Sequence, residues 1–261
     1  MNQFQSNSDN WFVCPQTRPG AEMRLFLFPY AGGGPTAFWK WGAKLPDHIE
    51  TWITHYPGRG SRYNEAPVKK LSLLVEGIYQ AIHPLLDKPF AFFGHSLGSL
   101  IAFELTRSLQ QKDLPQPIVL FISACMAPQL PDPDPHIHGL SDPEFVKALQ
   151  ELNGTPKEII TNPKLMKLLL PTLRADFEAA ENYQYNQSEH PLACPIVAFG
   201  GSDDPHVSQE GLAGWGSQTS SRFKSISFPG DHFYLNAAED EVVQLIAKEM
   251  MYSRSVNHNP R

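Results

Sequence analysis

Ser96 lies within Gly94-His95-Ser96-Leu97-Gly98, a G-x-S-x-G pentapeptide. In an active setting this pattern lifts a hydroxyl on a sharp strand-to-helix turn, and the flanking glycines permit the turn because they lack β-carbons. The plainer alternative is a helix-capping serine. Placement favours chemistry: the apolar run Phe90-Ala91-Phe92-Phe93 comes directly before the motif and a helical pattern opens at Leu97. A serine hydroxyl needs a base, and the base needs an acid to orient it. Gly200-Gly201-Ser202-Asp203-Asp204-Pro205-His206-Val207 supplies carboxylates after one apolar run, and Pro229-Gly230-Asp231-His232-Phe233 supplies an imidazole after the next.

Among the ten histidines, His232 is the expected base. His206 is the rival, but it lies only two residues past Asp204. His95 should point away from its neighbour Ser96, because adjacent side chains diverge on a sharp turn. His136 and His138 sit in a proline-rich loop without other ligands nearby, so no metal site is expected. For the acid, a G-x-x-D-x-x-V frame from Gly201 selects Asp204, whereas a frame from Gly200 selects Asp203 and lacks the valine; the reading favours Asp204. Asp231 reads as a loop cap. An oxyanion would need two N–H donors. Leu97 N–H, just after the nucleophile, is one. The second falls to Ala31 or Tyr30 in the glycine-rich segment Pro29-Tyr30-Ala31-Gly32-Gly33-Gly34. No G-K-[ST] follows those glycines, which disfavours a phosphate loop.

These groups must be carried by a framework, and the apolar periodicity supplies one. Strands are expected at 24–28, 51–55, 90–93, 118–123, 195–199 and 223–228, and helices at 68–86, 97–110, 208–218 and 237–251. The alternation predicts an α/β fold with a mostly parallel central sheet flanked by helices. Reacting groups in such sheets gather outside the carboxyl ends of the strands, which would bring Ser96, Asp204 and His232 to one edge.

From 124 to 194 no strand candidate occurs, and a connection of that length reads as a helical lid inserted between late strands. It opens on the extended run Pro128-Gln129-Leu130-Pro131-Asp132-Pro133-Asp134-Pro135. Ser141-Asp142-Pro143-Glu144 then signals a helix start. Leu165, Leu168, Leu169, Leu173 and Phe177 share a helical stripe, for packing or for lining an acyl pocket, and Pro171 should kink or restart that helix.

Composition narrows the class further. With 41% hydrophobic residues the chain can bury one large core, and a net charge of −6 disfavours a nucleic-acid binder. Charged residues are a lean 18%, and 24 prolines with 18 glycines imply many element boundaries. Cys14, Cys125 and Cys194 are odd in number and form no C-x-x-C pair, which fits a reducing compartment. The amino-terminal residues have no signal-peptide pattern and no stretch reaches membrane-span length, so a cytoplasmic protein is expected, with a monomer as the default because nothing in the residues reads out oligomeric state. The expected layout is a flexible tail at 1–20, a single domain at 21–252 with the lid at about 124–194, and a second flexible tail at 253–261.

The order Ser, Asp, His is that of α/β-hydrolases. Together, Phe28-Pro29-Tyr30-Ala31-Gly32-Gly33, Tyr56-Pro57-Gly58-Arg59-Gly60-x-Arg62, the Ser96 motif with Phe93, Leu170-Pro171-x-Leu173-Arg174-x-Asp176 and Gly230-Asp231-His232-Phe233 resemble the type II thioesterases. These are stand-alone editing enzymes of nonribosomal peptide and polyketide synthesis. The resemblance runs from about Leu25 to Ile246. Leu97 and Ser99 depart from the methionine and glycine frequent in the family, without threatening the chemistry.

The resemblance implies hydrolysis of acyl thioesters on the phosphopantetheine arms of acyl or peptidyl carrier domains. Ser96, Asp204 and His232 would be the triad and Leu97 and Ala31 the oxyanion donors, with no cofactor of the enzyme's own. Carrier domains are acidic, so docking would need a local positive face, for which Arg59, Arg62, Lys69, Lys70, Lys157, Lys164 and Lys167 are candidates. Two alternatives stay open: a carboxylesterase or lipase on free esters, which would share fold and triad, and a non-catalytic binding module that keeps the hydrolase fold.

Overall fold

The computed structural model describes residues 10–257 except 132, 153, 155–156 and 188–189. Its strands are β1 (Phe12–Val13), β2 (Met23–Phe28), β3 (Ile49–Thr54), β4 (Phe90–His95), β5 (Leu120–Ser123), β6 (Ile196–Gly201) and β7 (Phe223–Phe228). The helices are α1 (Trp41–Lys44), α2 (Leu71–Ile82), α3 (Leu97–Gln111), α4 (Asp142–Glu151), α5 (Lys157–Ile160), α6 (Pro163–Glu181), α7 (Gln209–Ala213) and α8 (Leu235–Asn257). The sheet order is β1-β3-β2-β4-β5-β6-β7. Every pairing is parallel except β1 with β3.

Side chains alternate across the pleat, so one strand feeds two cores. In β2, Phe26 and Phe28 pack with Ile78 of α2 and Ile101 of α3. Leu25 and Leu27 face the other way, into a layer with Val242 and Ile246 of α8. A sheet covered on both faces explains why its central strands read as continuous apolar runs. The expected α/β-hydrolase architecture is the one observed, with α4, α5 and α6 inserted between β5 and β6.

Three sequence expectations need correction. The expected amino-terminal tail is built into the fold from residue 10 onward, while residues 1–9 lie outside the described residues. Phe12 and Val13 pair with Thr54 and Ile53, and the Arg18 guanidinium donates to the carbonyls of Gly42, Leu45, Pro46 and Ile49. Two apolar positions and one arginine surrounded by carbonyls anchor a segment too short to show periodicity. At the other end α8 continues to Asn257, through most of the expected second tail, and Ser253 is buried. Finally, α6 runs through Pro171 as one helix. Pro171 and Lys167, whose carbonyl loses its helical donor, are both exposed, so water can take that donor's place.

The lid has its own small core of Phe145, Leu149, Met166 and Leu173. Helix α4 begins at the expected capping box, with Ser141 and Glu144 satisfying each other's backbone. The leucine stripe of α6 is split: Leu173 is buried, whereas Leu165 and Leu168 stand exposed.

Candidate active site

Ser96 occupies the one-residue joint between β4 and α3 with φ 53° and ψ −118°. For a non-glycine residue this is strained backbone, sustained only where the surroundings over-determine it. They do so here. A β-carbon on Gly98 would lie 1.9 Å from the Phe28 carbonyl oxygen, and one on Gly94 would lie 2.2 Å from that of Gly98. The Ser96 amide donates to the Ser123 carbonyl over 2.8 Å. Ser99, a departure from the family pattern, braces the turn from inside: its hydroxyl donates toward the carbonyls of Gly94 and Ser123, at 2.8 and 2.9 Å, and accepts from the Ser123 amide at 3.0 Å. Residue type alone does not signal this role, because a serine one turn into a helix has many possible partners.

His232 and Asp204 meet across the ends of β7 and β6. The imidazole Nδ1 lies 2.8 Å from Asp204 Oδ2, and the Asp204 side chain is fully buried. The second carboxylate oxygen accepts the His206 amide at 2.9 Å. Asp203 is exposed and contributes its own amide to the Gly230 carbonyl. Asp231 caps the loop by accepting from the Phe233 amide. The two loops approach so closely that a β-carbon on Gly201 would lie 2.2 Å from the Asp231 carbonyl oxygen. The rival His206 is turned to Asp134, with Nδ1 2.6 Å from the carboxylate.

His95 points into the protein, where its Nδ1 lies 2.8 Å from Ser123 Oγ, itself 2.6 Å from the Tyr234 hydroxyl. Burial, aided by the neighbouring His232, holds its pKa well below the usual histidine range, so the ring is neutral at neutral pH.

Ser96, His232, Tyr30, Ala31 and Leu97 share one cavity of about 390 Å³, roofed by the lid residues Leu149, Leu152, Leu173 and Phe177. A larger cleft of about 570 Å³ between α2, α3 and the end of α6 contains no triad residue. Two ion pairs lie along it, Arg107 with Glu104 at 2.6 Å and Lys69 with Glu178 at 3.1 Å. The smaller cavity is the more apolar of the two, and it is the one that Ser96 and His232 line.

His136 and His138, expected without a third ligand, come near Glu181. That carboxylate already accepts from the Ile137 and His138 amides and from the His138 ring, so Ile137 and His138 tie the lid loop to α6 through Glu181. The proposed positive face also changes. Arg59 and Arg62 are buried and ion-paired, to Asp176 and Glu65, because a guanidinium fork matches a carboxylate better than it suits open water. Lys69 pairs with Glu178. Lys70, Lys164 and Lys167 are exposed, and the side chain of Lys157 lies outside the described residues.

A family model described as a thioesterase domain matches residues 23–250. The chain belongs to the thioesterase family. It is 42% identical over 247 residues to the gramicidin S biosynthesis protein GrsT of Aneurinibacillus migulanus, covering 95% of this chain and 96% of that protein. It is 35% identical to the thioesterase PikA5 of Streptomyces venezuelae, over 95% of this chain and 88% of the relative. Among solved structures, the type II thioesterase BorB from the borrelidin biosynthetic cluster superposes with a TM-score of 0.85 at 32% identity, covering 94% of this chain and 99% of that one. This thioesterase is thus of type II, on the α/β-hydrolase fold. No described helix is long and apolar enough to cross a membrane.

Proposed function

We propose that this thioesterase removes acyl groups from the phosphopantetheine arms of carrier domains in a peptide or polyketide synthase, through an acyl-Ser96 intermediate. The buried Asp204 contact with His232 Nδ1, on the wall of the cavity that contains Ser96, carries the mechanistic part. With Nδ1–H donating to the carboxylate, Nε2 is left as the acceptor that a general base requires. Ser96 Oγ adds to the thioester carbonyl as His232 takes its proton. The Leu97 and Ala31 amides hold the oxyanion. Collapse breaks the C–S bond, and the proton passes from His232 to the departing pantetheine sulfur. Water, deprotonated by His232, then releases the acid and restores Ser96.

Two features support carrier-bound substrates. The relatives named above include proteins of gramicidin S and borrelidin biosynthesis, and the outer half of α6 presents Lys164 and Lys167 beside exposed Leu165 and Leu168. An acidic carrier helix matches such a face in both charge and apolar content. Hydrolysis rates of an acyl-carrier thioester and of the matched oxygen ester test the reading. A preference for the thioester that Ser96→Ala abolishes is expected; a preference for the oxygen ester would make this a carboxylesterase. Reversal of Lys164 and Lys167 to Glu should raise KM for the carrier substrate while sparing a free pantetheine thioester.

A further inference from the structure

Two of the sequence motifs take no direct part in the mechanism above, and in the structure they meet. Asp176 of α6 is fully buried. Its carboxylate receives both Arg59 Nη1 at 2.6 Å and Arg59 Nη2 at 2.7 Å, and its Oδ2 also accepts the Gly32 amide at 2.7 Å. Arg59 Nη1 donates in addition to the Gly33 carbonyl at 2.9 Å. One turn earlier on the same helix, Leu173 fills the space beside Gly32, where a β-carbon would lie 2.4 Å from its Cδ2. Thr172 donates to the Gly58 carbonyl at 2.8 Å, holding the Arg59 loop as well.

These bonds close around the peptide planes that matter. Gly32 has φ +76°, and the Gly33 amide donates to the Tyr30 carbonyl at 2.8 Å. A trans peptide points its N–H opposite to its C=O, so binding the Tyr30 carbonyl inside the turn turns the Ala31 N–H outward. Asp176 fixes the next plane by holding the Gly32 N–H, the Gly33 amide holds the one after through its own bond to the Tyr30 carbonyl, and Arg59 fixes the Gly33–Gly34 plane by holding the Gly33 carbonyl. All four planes are therefore set, one of them directly from the lid helix and one through Arg59, which Asp176 holds.

We propose that Asp176 is a positioning residue for the oxyanion hole: acting from the lid helix, directly on the Gly32 amide and through Arg59 on the Gly33 carbonyl, it sets the direction of the Ala31 donor. Docking of α6 and formation of the hole are then one event, and an enzyme whose lid helix lifts loses oxyanion stabilisation as well as its cover. The proposal rests on the acyl-serine reading above.

The test uses the full chain and two measurements, labelling of Ser96 by a fluorophosphonate and hydrolysis of a short acyl thioester of pantetheine. Asp176→Asn keeps the side-chain shape and removes its charge. The expected result is labelling to the wild-type end point, which counts folded sites, with a rate constant lower by about tenfold or more. In that case kcat falls in proportion while KM stays within about threefold, as expected for an interaction made in the transition state. Should Asp176→Asn not fold, Arg59→Lys, which keeps the cation and loses the fork, carries the same expectation at smaller amplitude. A rate per labelled site equal to wild type in the folded variant would overturn the proposal. If wild-type enzyme neither labels nor hydrolyses, the acyl-serine reading itself falls and takes this proposal with it.

Discussion

Gly98 in the first turn of α3 packs directly on the backbone of Phe28, so that an added β-carbon would come within 1.9 Å of the Phe28 carbonyl oxygen. Backbone cannot move aside as a side-chain tip can. Gly98→Ala should therefore cost about 3 kcal/mol or more, read as a lowered urea midpoint or as insoluble expression. A variant with wild-type stability would show that α3 does not sit against β2 in this way.

The two adjacent aspartates separate cleanly. Asp204→Asn keeps the shape of the group that holds His232 but changes what its nitrogen can donate to, and kcat should fall by about 10⁴. Asp203→Asn, at an exposed carboxylate, should leave kcat within about twofold. Steady-state rates on one thioester decide between them, and the reverse pattern would reassign the acid.

Gly201 is the spacer between the acid loop and the base loop. Gly201→Ala would force its β-carbon against the Asp231 carbonyl oxygen, now 2.2 Å from that position, and push the loops apart. The expected result is about a hundredfold loss of kcat/KM from sub-ångström misplacement, with the far-ultraviolet circular dichroism unchanged. Full activity would mean the loops tolerate more separation than the structure shows.

Buried histidines predict an acid-side loss of stability. Burial lowers the pKa of both His95 and His55 in the folded state from 6.5. The unfolded chain therefore takes up these protons first, and stability declines as pH falls through about 6.5 toward the folded values, levelling out below them. The paired acids Glu50 and Glu249, with pKa values lowered from 4.5, begin to contribute only nearer that value. Urea titrations between pH 7 and pH 5 should show the slope, and His95→Gln should flatten it. A flat wild-type profile over that interval would contradict the assignment.

How much of this was legible from residues alone depends on range. The central strands, the Ser96 turn and the order Ser, Asp, His were readable because apolar periodicity and short motifs are local. The choice of Asp204 over Asp203 rested on one valine in a frame, and the structure shows the difference as burial. What escaped was long-range. Arg59 and Arg62 looked like a docking face because a sequence shows charge but not its partner, and Asp176 lies more than a hundred residues from Arg59. Phe12 and Val13 were hidden for another reason, since two residues cannot display a period.

That short strand bears on how the molecule keeps to itself. β1 covers one border of the sheet along only two residues, and the opposite border, β7, exposes Lys224, Ser225 and Ser227 to water. A lysine on a border strand and a partner too brief to template growth both discourage foreign chains from zipping on. Self-association through extended backbone is thereby suppressed even though the interior strands are among the most apolar stretches of the chain.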